Sequence, residues 1–487
     1  MAMGWCMAAV TARGGMMRHG GALVKLLAVA MAASAQAQPD LVLRADQPLP
    51  ALRALHGLNK GPLAPGGLVD VTAQQTALHP PLTRLHDCHW PVPDVVDFHA
   101  VFPNPEADPS RPESYDFRLT DAYLAAVRAT GAQIVYRLGE SIEHTPIKRY
   151  AHPPADAARW AQIALGIIRH YNSGWANGHQ WGIRYWEIWN EPENRPSCWS
   201  GTDEDYYRLY ATASRAIRGL DPTLRVGGPS VGASGGFVDG RFQPTEFVST
   251  FLKRAKAEGW PLDFFSWHCY TADPSEPAAR ARAIRELLDA TGHVGCESHL
   301  NEWNYLPDND WRGGSREASP EERERYYQRM SGDEAAAFVV TALLELQAAP
   351  LTAGNLFHGE VGPFGLFTEQ GVTRPVYDGV LSFARLLAGG GRVSVEGSQP
   401  GKLAAAATLA EDRRSLTLLV ANYSDPREEL SLSVAGLPWT GGTRCEVRRV
   451  GLGQRLGDAP TVSDLDGGVL KLRLPKPGLV QVVLHAL

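Results

Sequence analysis

The strongest chemical signal in the sequence is Trp186-Glu187-Ile188-Trp189-Asn190-Glu191-Pro192, where a largely apolar run ends in a polar pair followed by proline. Such a run reads as a buried strand, and the proline marks its end. Asn190 and Glu191 then stand at a strand terminus, in position to face a pocket. Leu300-Asn301-Glu302-Trp303-Asn304 repeats the arrangement. Two carboxyl groups brought together suit cleavage of a glycosidic bond, because one can protonate the leaving oxygen while the other acts at the anomeric carbon. An amide such as Asn190 can hydrogen-bond the sugar 2-hydroxyl. An isolated glutamate is ordinarily a solvated charge or half of an ion pair. These two stand out because both follow Asn, both have Trp within two positions, and both end expected strands.

The elements that must position them alternate from about residue 54 to 387. Short β-type runs occur at Ala54–Lys60, Leu82–Asp87, Ala132–Gly139, Arg184–Glu191, Arg225–Ser230, Asp263–Tyr270, His299–Asn304 and Gly354–His358. Helical periodicity fills Ala155–Tyr171, Tyr206–Leu220, Pro277–Ala290 and Glu324–Gln347, with Asp221-Pro222 and Thr291-Gly292 as helix ends. Eight such units close a (β/α)8 TIM barrel, whose active site is built at the C-terminal strand ends. Glu191 ends the fourth strand and Glu302 the seventh, so the two can face each other across the mouth. The Pro/Gly-rich connections Cys88–Asp116 and Tyr305–Pro320 are long enough to wall a pocket.

Beyond Gly389-Gly390-Gly391 the pattern changes to short alternating segments separated by turns, such as Leu416–Ala421 and Leu479–Leu484. This predicts a C-terminal antiparallel β-sandwich domain. The fold class is therefore α/β, with the barrel over residues 54–387 and the accessory sandwich over 388–487. Residues 38–53 are expected to join the sandwich through a strand at Leu41–Arg44.

The chain has 487 residues, 44% of them hydrophobic, enough for a barrel and a second domain. Its formal charge of −6 is scattered, without the basic stripe that a nucleic-acid partner needs. Arg18, His19 and Lys25 precede the apolar run Leu26–Ala33, and Ser34-Ala35-Gln36-Ala37 follows with small residues. That order predicts a signal peptide over residues 1–37, cleaved after Ala37, and hence a secreted or periplasmic protein. The run is too short to cross about 30 Å of hydrocarbon, so no membrane partner is expected after cleavage. Loss of Cys6 leaves Cys88, Cys198, Cys269, Cys296 and Cys445, none in a C-x-x-C pair, so no metal and no cofactor are expected. Cys88 with Cys198, or Cys269 with Cys296, could be bridged, and buried free thiols are the other reading.

The pattern resembles clan A of the glycoside hydrolases, and within it family 39, the β-xylosidase and α-L-iduronidase family. The resemblance rests on WEIWNEPEN before a Tyr-rich helix, VGGPS, DFFSWHCYT, LNEWN and PFGLFTEQGVTRPVYDGV, in that order, and covers roughly Leu55 to Phe383. It implies a retaining double displacement with Glu191 as acid/base and Glu302 as nucleophile. It further implies that Asn190 contacts the 2-hydroxyl, that His86 of Arg84-Leu85-His86 contacts the sugar, and that His268 and Tyr270 lie near the nucleophile. Tyr270 should hydrogen-bond Glu302 and help hold it ionised.

As acid, Glu191 must be protonated when substrate arrives, so its pKa is expected above the usual value of about 4.3. Burial beside Trp186 and Trp189 and repulsion from Glu302 would supply that shift. Trp90, Trp199, Trp303 and Trp311 occur in or beside the mouth loops, at least one is expected to stack on a sugar ring, and Trp303 is expected to bind substrate. The expected partner is an oligosaccharide or polysaccharide. The leading substrate is a β-xyloside cleaved from a chain end. Two departures count against xylose: Asp87-Cys88-His89-Trp90 lacks the H-G-x-x-x-D-D run of the family's xylosidases, and the Cys198-Trp199 pair is not general in the family. The eighth strand offers a uronate only His358, with Arg374 well beyond it. The alternatives are an endo-acting hydrolase or transglycosylase, and a non-catalytic carbohydrate-binding protein. The sugar, the linkage and the oligomeric state stay open at this stage.

Overall fold

The computed structural model describes residues 39–487. The expected leader, with its cleavage point at Ala37, lies outside the described residues. Eight parallel strands close into a barrel: Gly57–Asn59, Leu82–Leu85, Gln133–Leu138, Tyr185–Ile188, Arg225–Val231, Phe264–Thr271, Glu297–Tyr305 and Ala353–Leu356. Each falls within or across one of the expected runs, and the eighth pairs with the first to complete the ring.

The outer helices start and stop where local chemistry dictates. Asp156 caps Ala157–Ser173 by accepting from the amides of Ala158 and Arg159, and Gly174 ends that helix with a left-handed turn at φ 74°. Thr202 and Asp205 form a reciprocal capping box on Asp203–Leu220, which buries Tyr206, Tyr207 and Tyr210 against the barrel. The stretch Glu324–Gln347, expected as one helix, is instead two, Pro320–Ser331 and Asp333–Glu345. Gly332 between them is extended, and a Cβ there would stand 2.5 Å from the Gln328 carbonyl oxygen, so the break depends on glycine. Acidic Asp333 and Glu334 then open the second helix at its positive end.

Leu41–Pro48 pairs antiparallel with Gly391–Glu396 and parallel with Glu429–Ala435, inside a nine-stranded sheet otherwise antiparallel. That single parallel pairing departs from the purely antiparallel expectation. Period-two alternation gives the sheet two buried faces. Leu418, Val420, Val480 and Val482 point into the sandwich's own core, whereas Leu419, Ala421 and Leu479 join the barrel's core. Hydrogen bonds from Tyr423 Oη to the Ala272 carbonyl (2.7 Å) and from Thr408 Oγ1 to the Leu386 carbonyl (2.9 Å) fix the sandwich to the barrel. The sandwich thereby backs the helices that support the seventh and eighth strands. All five cysteines of the described residues are buried and unpaired, so neither candidate bridge is formed.

Candidate active site

Two irregularities at the barrel's C-terminal rim set the positions of the polar side chains. Pairing between the fifth and sixth strands runs Pro229 with Ser266 and then Val231 with Trp267, which leaves Ser230 as an extra residue. Pairing between the seventh and sixth runs Leu300 with Trp267 and then Glu302 with His268, which leaves Asn301 extra. A bulge of this kind re-aims a side chain, and it lets consecutive Asn301 and Glu302 both reach the mouth. Beyond the fourth strand, Trp189 and Glu191 take left-handed φ values of 71° and 45°. The Glu191 amide, bonded at 3.0 Å to the Ser230 carbonyl, holds that conformation. A Cβ at residue 232 would stand 2.4 Å from Glu191 Oε1, so Gly232 makes room for the carboxylate.

Beneath the mouth, the fully buried Arg84 guanidinium organises the floor. Its Nε donates to Glu187 (2.7 Å), Nη1 to Asn59 and Glu302 (both 3.1 Å), and Nη2 to Asn190 and Ser230 (both 2.7 Å). Asn301 Nδ2 donates to the other Glu187 oxygen at 2.6 Å and to Ser230 Oγ at 3.0 Å. The planar fork of arginine suits this many fixed acceptors. Above the floor, Tyr270 Oη donates to Glu302 Oε1 at 2.6 Å. His268 lies between the two glutamates, with Nδ1 2.8 Å from Glu191 Oε1 and Nε2 3.6 Å from Glu302 Oε2. Asn194 Nδ2 (2.8 Å) and the Cys198 thiol (3.5 Å) complete the shell of Glu191.

The cage thus holds three carboxyl groups, Glu187, Glu191 and Glu302, against the cations Arg84 and His268. Burial raises the Glu191 carboxyl, but the hydrogen bond and charge of His268, with Asn194 and Cys198, reverse that and leave it below the ordinary glutamate value. Burial also raises Glu302, and there His268, Arg84 and Tyr270 offset it only in part. Burial depresses His268, yet the two glutamates overcome it and raise the imidazole. The expectation of a raised Glu191 is therefore overturned: His268, 2.8 Å away, outweighs burial and lowers the carboxyl. A carboxylate oxygen of Glu191, a ring nitrogen of His268 and a carboxylate oxygen of Glu302 lie within 4.8 Å of one another. A cation among them would have to compete with Arg84 and Tyr270 for Glu302.

A pocket of about 660 Å³ opens over these groups, and Glu191, Glu302, His86 and Tyr270 all line it. Asn190 is 1% exposed; Arg84 and Ser230 occupy its amide oxygen and its NH2 group donates to the Cys198 sulfur at 3.9 Å, which leaves one N–H for a sugar hydroxyl. His268 does not line the pocket as a sugar contact: both ring nitrogens are taken by protein, Nε2 facing Ser230 Oγ at 2.8 Å. Trp303 is fully buried and does not line the pocket, because strand alternation turns it outward when Glu302 turns in. Trp199 is likewise buried, and among the four tryptophans singled out Trp311 is the one that lines the pocket, half exposed and edge-on to Tyr270.

Glu193 at the mouth and Lys60 buried beside the eighth strand were not singled out by the sequence. Glu193 lines the pocket, accepts from the Ala233 amide at 2.9 Å, and is pushed up to about 7 by burial and the Glu191 charge. Its signal was present as the second acid of Asn190-Glu191-Pro192-Glu193. Lys60 at the end of the first strand is buried beside Glu360 (3.4 Å) and over the Phe357 ring, a cation that only the closed ring brings near the eighth strand.

A sequence model of the glycosyl hydrolases family 39 matches residues 104–292. A β-xylosidase of Caldicellulosiruptor saccharolyticus is 26% identical over 301 residues, which is 56% of this chain and 55% of the relative. A β-xylosidase of Geobacillus stearothermophilus is 24% identical over 332 residues, 60% of each chain. Over residues 104–292 the chain is similar to glycosyl hydrolases family 39. It spans between half and two thirds of the length of those relatives. Among solved structures, a glucosidase from Croceicoccus marinus has a TM-score of 0.74 at 24% identity, covering 92% of this chain and 99% of its own. A monomeric β-xylosidase from Caulobacter crescentus CB15 has a TM-score of 0.68 at 18% identity, with the same coverage. At these identities the likeness shows the shared barrel-and-sandwich fold. The family match contains Asn190, Glu191, His268 and Tyr270, whereas His86 and Glu302 fall outside it and join the site through the barrel.

Proposed function

We propose that the protein is a retaining exo-glycosidase acting on β-xylosides, with Glu302 as nucleophile and Glu191 as acid/base. The observation that carries this reading is that one carboxylate oxygen of Glu191 and one of Glu302 lie within 4.8 Å of each other across the rim. Retaining enzymes hold their carboxyls about 5–5.5 Å apart, inverting ones about 6.5–9.5 Å. The β-xylosidases among the relatives support the choice of sugar.

In the first half-reaction a Glu302 oxygen bonds to the anomeric carbon while the glycosidic C–O bond breaks, and the departing oxygen takes a proton from Glu191. The proton reaches Glu191 from His268 across their 2.8 Å contact. A sugar ring seated over the cage excludes water and lowers the local dielectric, which favours neutral imidazole with neutral carboxyl over the ion pair. Glu302 loses its charge on forming the ester, and Glu191 can then accept a proton from the attacking water. Tyr270 and Arg84, each bonded to one Glu302 oxygen, orient the nucleophile and stabilise its charge when it is released.

Hydrolysis of 4-nitrophenyl glycosides, with the product followed by NMR from the first turnovers, tests the reading. The β-xyloside is expected to be cleaved, with β-xylose appearing before mutarotation. Initial α-xylose would contradict retention, and internal cutting of xylan without aryl-xyloside hydrolysis would contradict exo action.

A further inference from the structure

On the outer face of the barrel, away from the catalytic mouth, three side chains from separate segments converge. Asp121 comes from the helix Arg118–Ala129, His170 from the helix Ala157–Ser173, and His179 from the turn that follows it. His170 Nε2 lies 2.9 Å and His179 Nε2 3.5 Å from Asp121 Oδ1, and one donor atom from each residue falls within 4.8 Å of the others. We infer that Asp121, His170 and His179 form a binding site for a single Zn2+ ion that clips the two helices and the turn together.

Hydrogen-bond bookkeeping points to a cation. His170 Nδ1 faces the Trp175 carbonyl at 3.0 Å, an acceptor, so that nitrogen carries the proton. In neutral imidazole the Nε2 lone pair then faces a carboxylate oxygen. Protonating His170 would satisfy that contact alone. It would leave His179 Nε2, which is buried and has no hydrogen-bond partner, unexplained. One metal ion satisfies all three groups together. A histidine that donates its second N–H to a backbone carbonyl is the usual outer support of a metal ligand. Two imidazoles and one carboxylate suit zinc, with ligand distances of about 2.0–2.2 Å and neighbouring ligand atoms about 3.3 Å apart. The two Asp121 contacts, at 2.9 and 3.5 Å, bracket that spacing.

The backbone is built to present His179. Its amide donates to the His170 carbonyl at 2.6 Å, and its carbonyl accepts from Gly174 at 2.8 Å. A Cβ at residue 178 would stand 2.2 Å from the His170 carbonyl oxygen, so Gly178 permits the approach. Ala176 and Asn177 both hold φ 57°, a left-handed conformation that costs non-glycine residues energy and persists where surrounding structure demands it. A cavity of about 660 Å³ reaches Asp121 and His170, giving the ion an entry path and a water for the fourth position. Arg118, which also borders it, is held by both oxygens of Asp116 at 2.9 and 2.6 Å.

The test uses the full chain, stripped with EDTA and titrated with Zn2+ by calorimetry and thermal melting. One ion per chain is expected at this site, raising Tm by about 2–5 °C at a hundredfold excess over Kd. His179→Gln and Asp121→Asn should each weaken binding by about tenfold or more, with hydrolytic activity unchanged. Affinity equal to the parent's in both variants overturns the inference, as does Zn2+ uptake abolished by Glu302→Gln and untouched by His179→Gln. If either variant fails to fold, crystals of the parent soaked in Zn2+ decide: an anomalous peak among the three residues supports the site, and its absence refutes it.

Discussion

Nδ1 of His268 lies 2.8 Å from Oε1 of Glu191, close enough for the two residues to share one proton. The acid of the proposed reaction is thus a pair, and pH dependence reports on the pair together with Glu302. Glu302 must be ionised to attack, and burial raises it above the ordinary 4.5, so activity is lost as pH falls through that raised value. The pair must hold a proton, and its imidazole is raised above 6.5, so activity is lost again as pH rises through the upper value. A bell-shaped profile of kcat/KM is expected, with its limbs above 4.5 and above 6.5 respectively.

Replacing His268 by Gln removes the shared proton's second home and a charge that helps ionise Glu302. The basic limb should move to lower pH and the acidic limb to higher pH, narrowing the bell, with kcat down about tenfold or more. Rates measured across pH check this, and limbs that stay in place would show that His268 only packs.

Glu191→Ala should lower kcat by about 10²–10⁴-fold on substrates with poor leaving groups. The loss should be smaller for 4-nitrophenyl glycosides, whose leaving oxygen needs little protonation. A leaving-group series on both proteins checks the difference, and equal losses on all substrates would remove Glu191 from the acid role.

Arg84→Met leaves Glu187 and Glu302 buried without their cation, which should cost about 3–5 kcal/mol of stability. Arg84→Lys keeps a charge but cannot fill five acceptor positions, so it should fold and show a lower kcat. Denaturant unfolding and steady-state kinetics on the two variants separate the roles.

Glu297 opens the seventh strand. Burial alone would raise its carboxyl, yet the hydrogen bonds and charges of His299 and Arg225 take it down to about 2. Its folded value is depressed, so its stabilisation is present above the ordinary 4.5 and is lost as pH falls toward 2. Glu297→Gln should destabilise by about 1–2 kcal/mol at neutral pH and by less near pH 3, measured by urea unfolding at both.

The barrel was legible because its strands are short apolar runs ending in polar residues, and Glu191 and Glu302 sat at two of those ends. The sandwich was legible from alternation, apart from the parallel pairing of Leu41–Pro48, which no local pattern encodes. The bulges at Ser230 and Asn301 were not legible, since an extra residue in a strand leaves no composition signal. Hence the floor of Arg84, Glu187, Ser230 and Asn301 came from the structure. Trp303 was misplaced by proximity in sequence, although period two beside an inward Glu302 already turns it outward. Glu191's pKa was misjudged because His268, distant in sequence, controls it.

The central claim is that Glu302 forms the covalent bond to the sugar. Incubation with a 2-deoxy-2-fluoro-β-xyloside carrying a good leaving group, followed by proteolysis and mass spectrometry, tests it most directly. The account predicts one fluoroxylosyl group per chain, on the peptide that contains Glu302. A label on the peptide that contains Glu191, or turnover of the parent β-xyloside with no covalent adduct trapped, would contradict it.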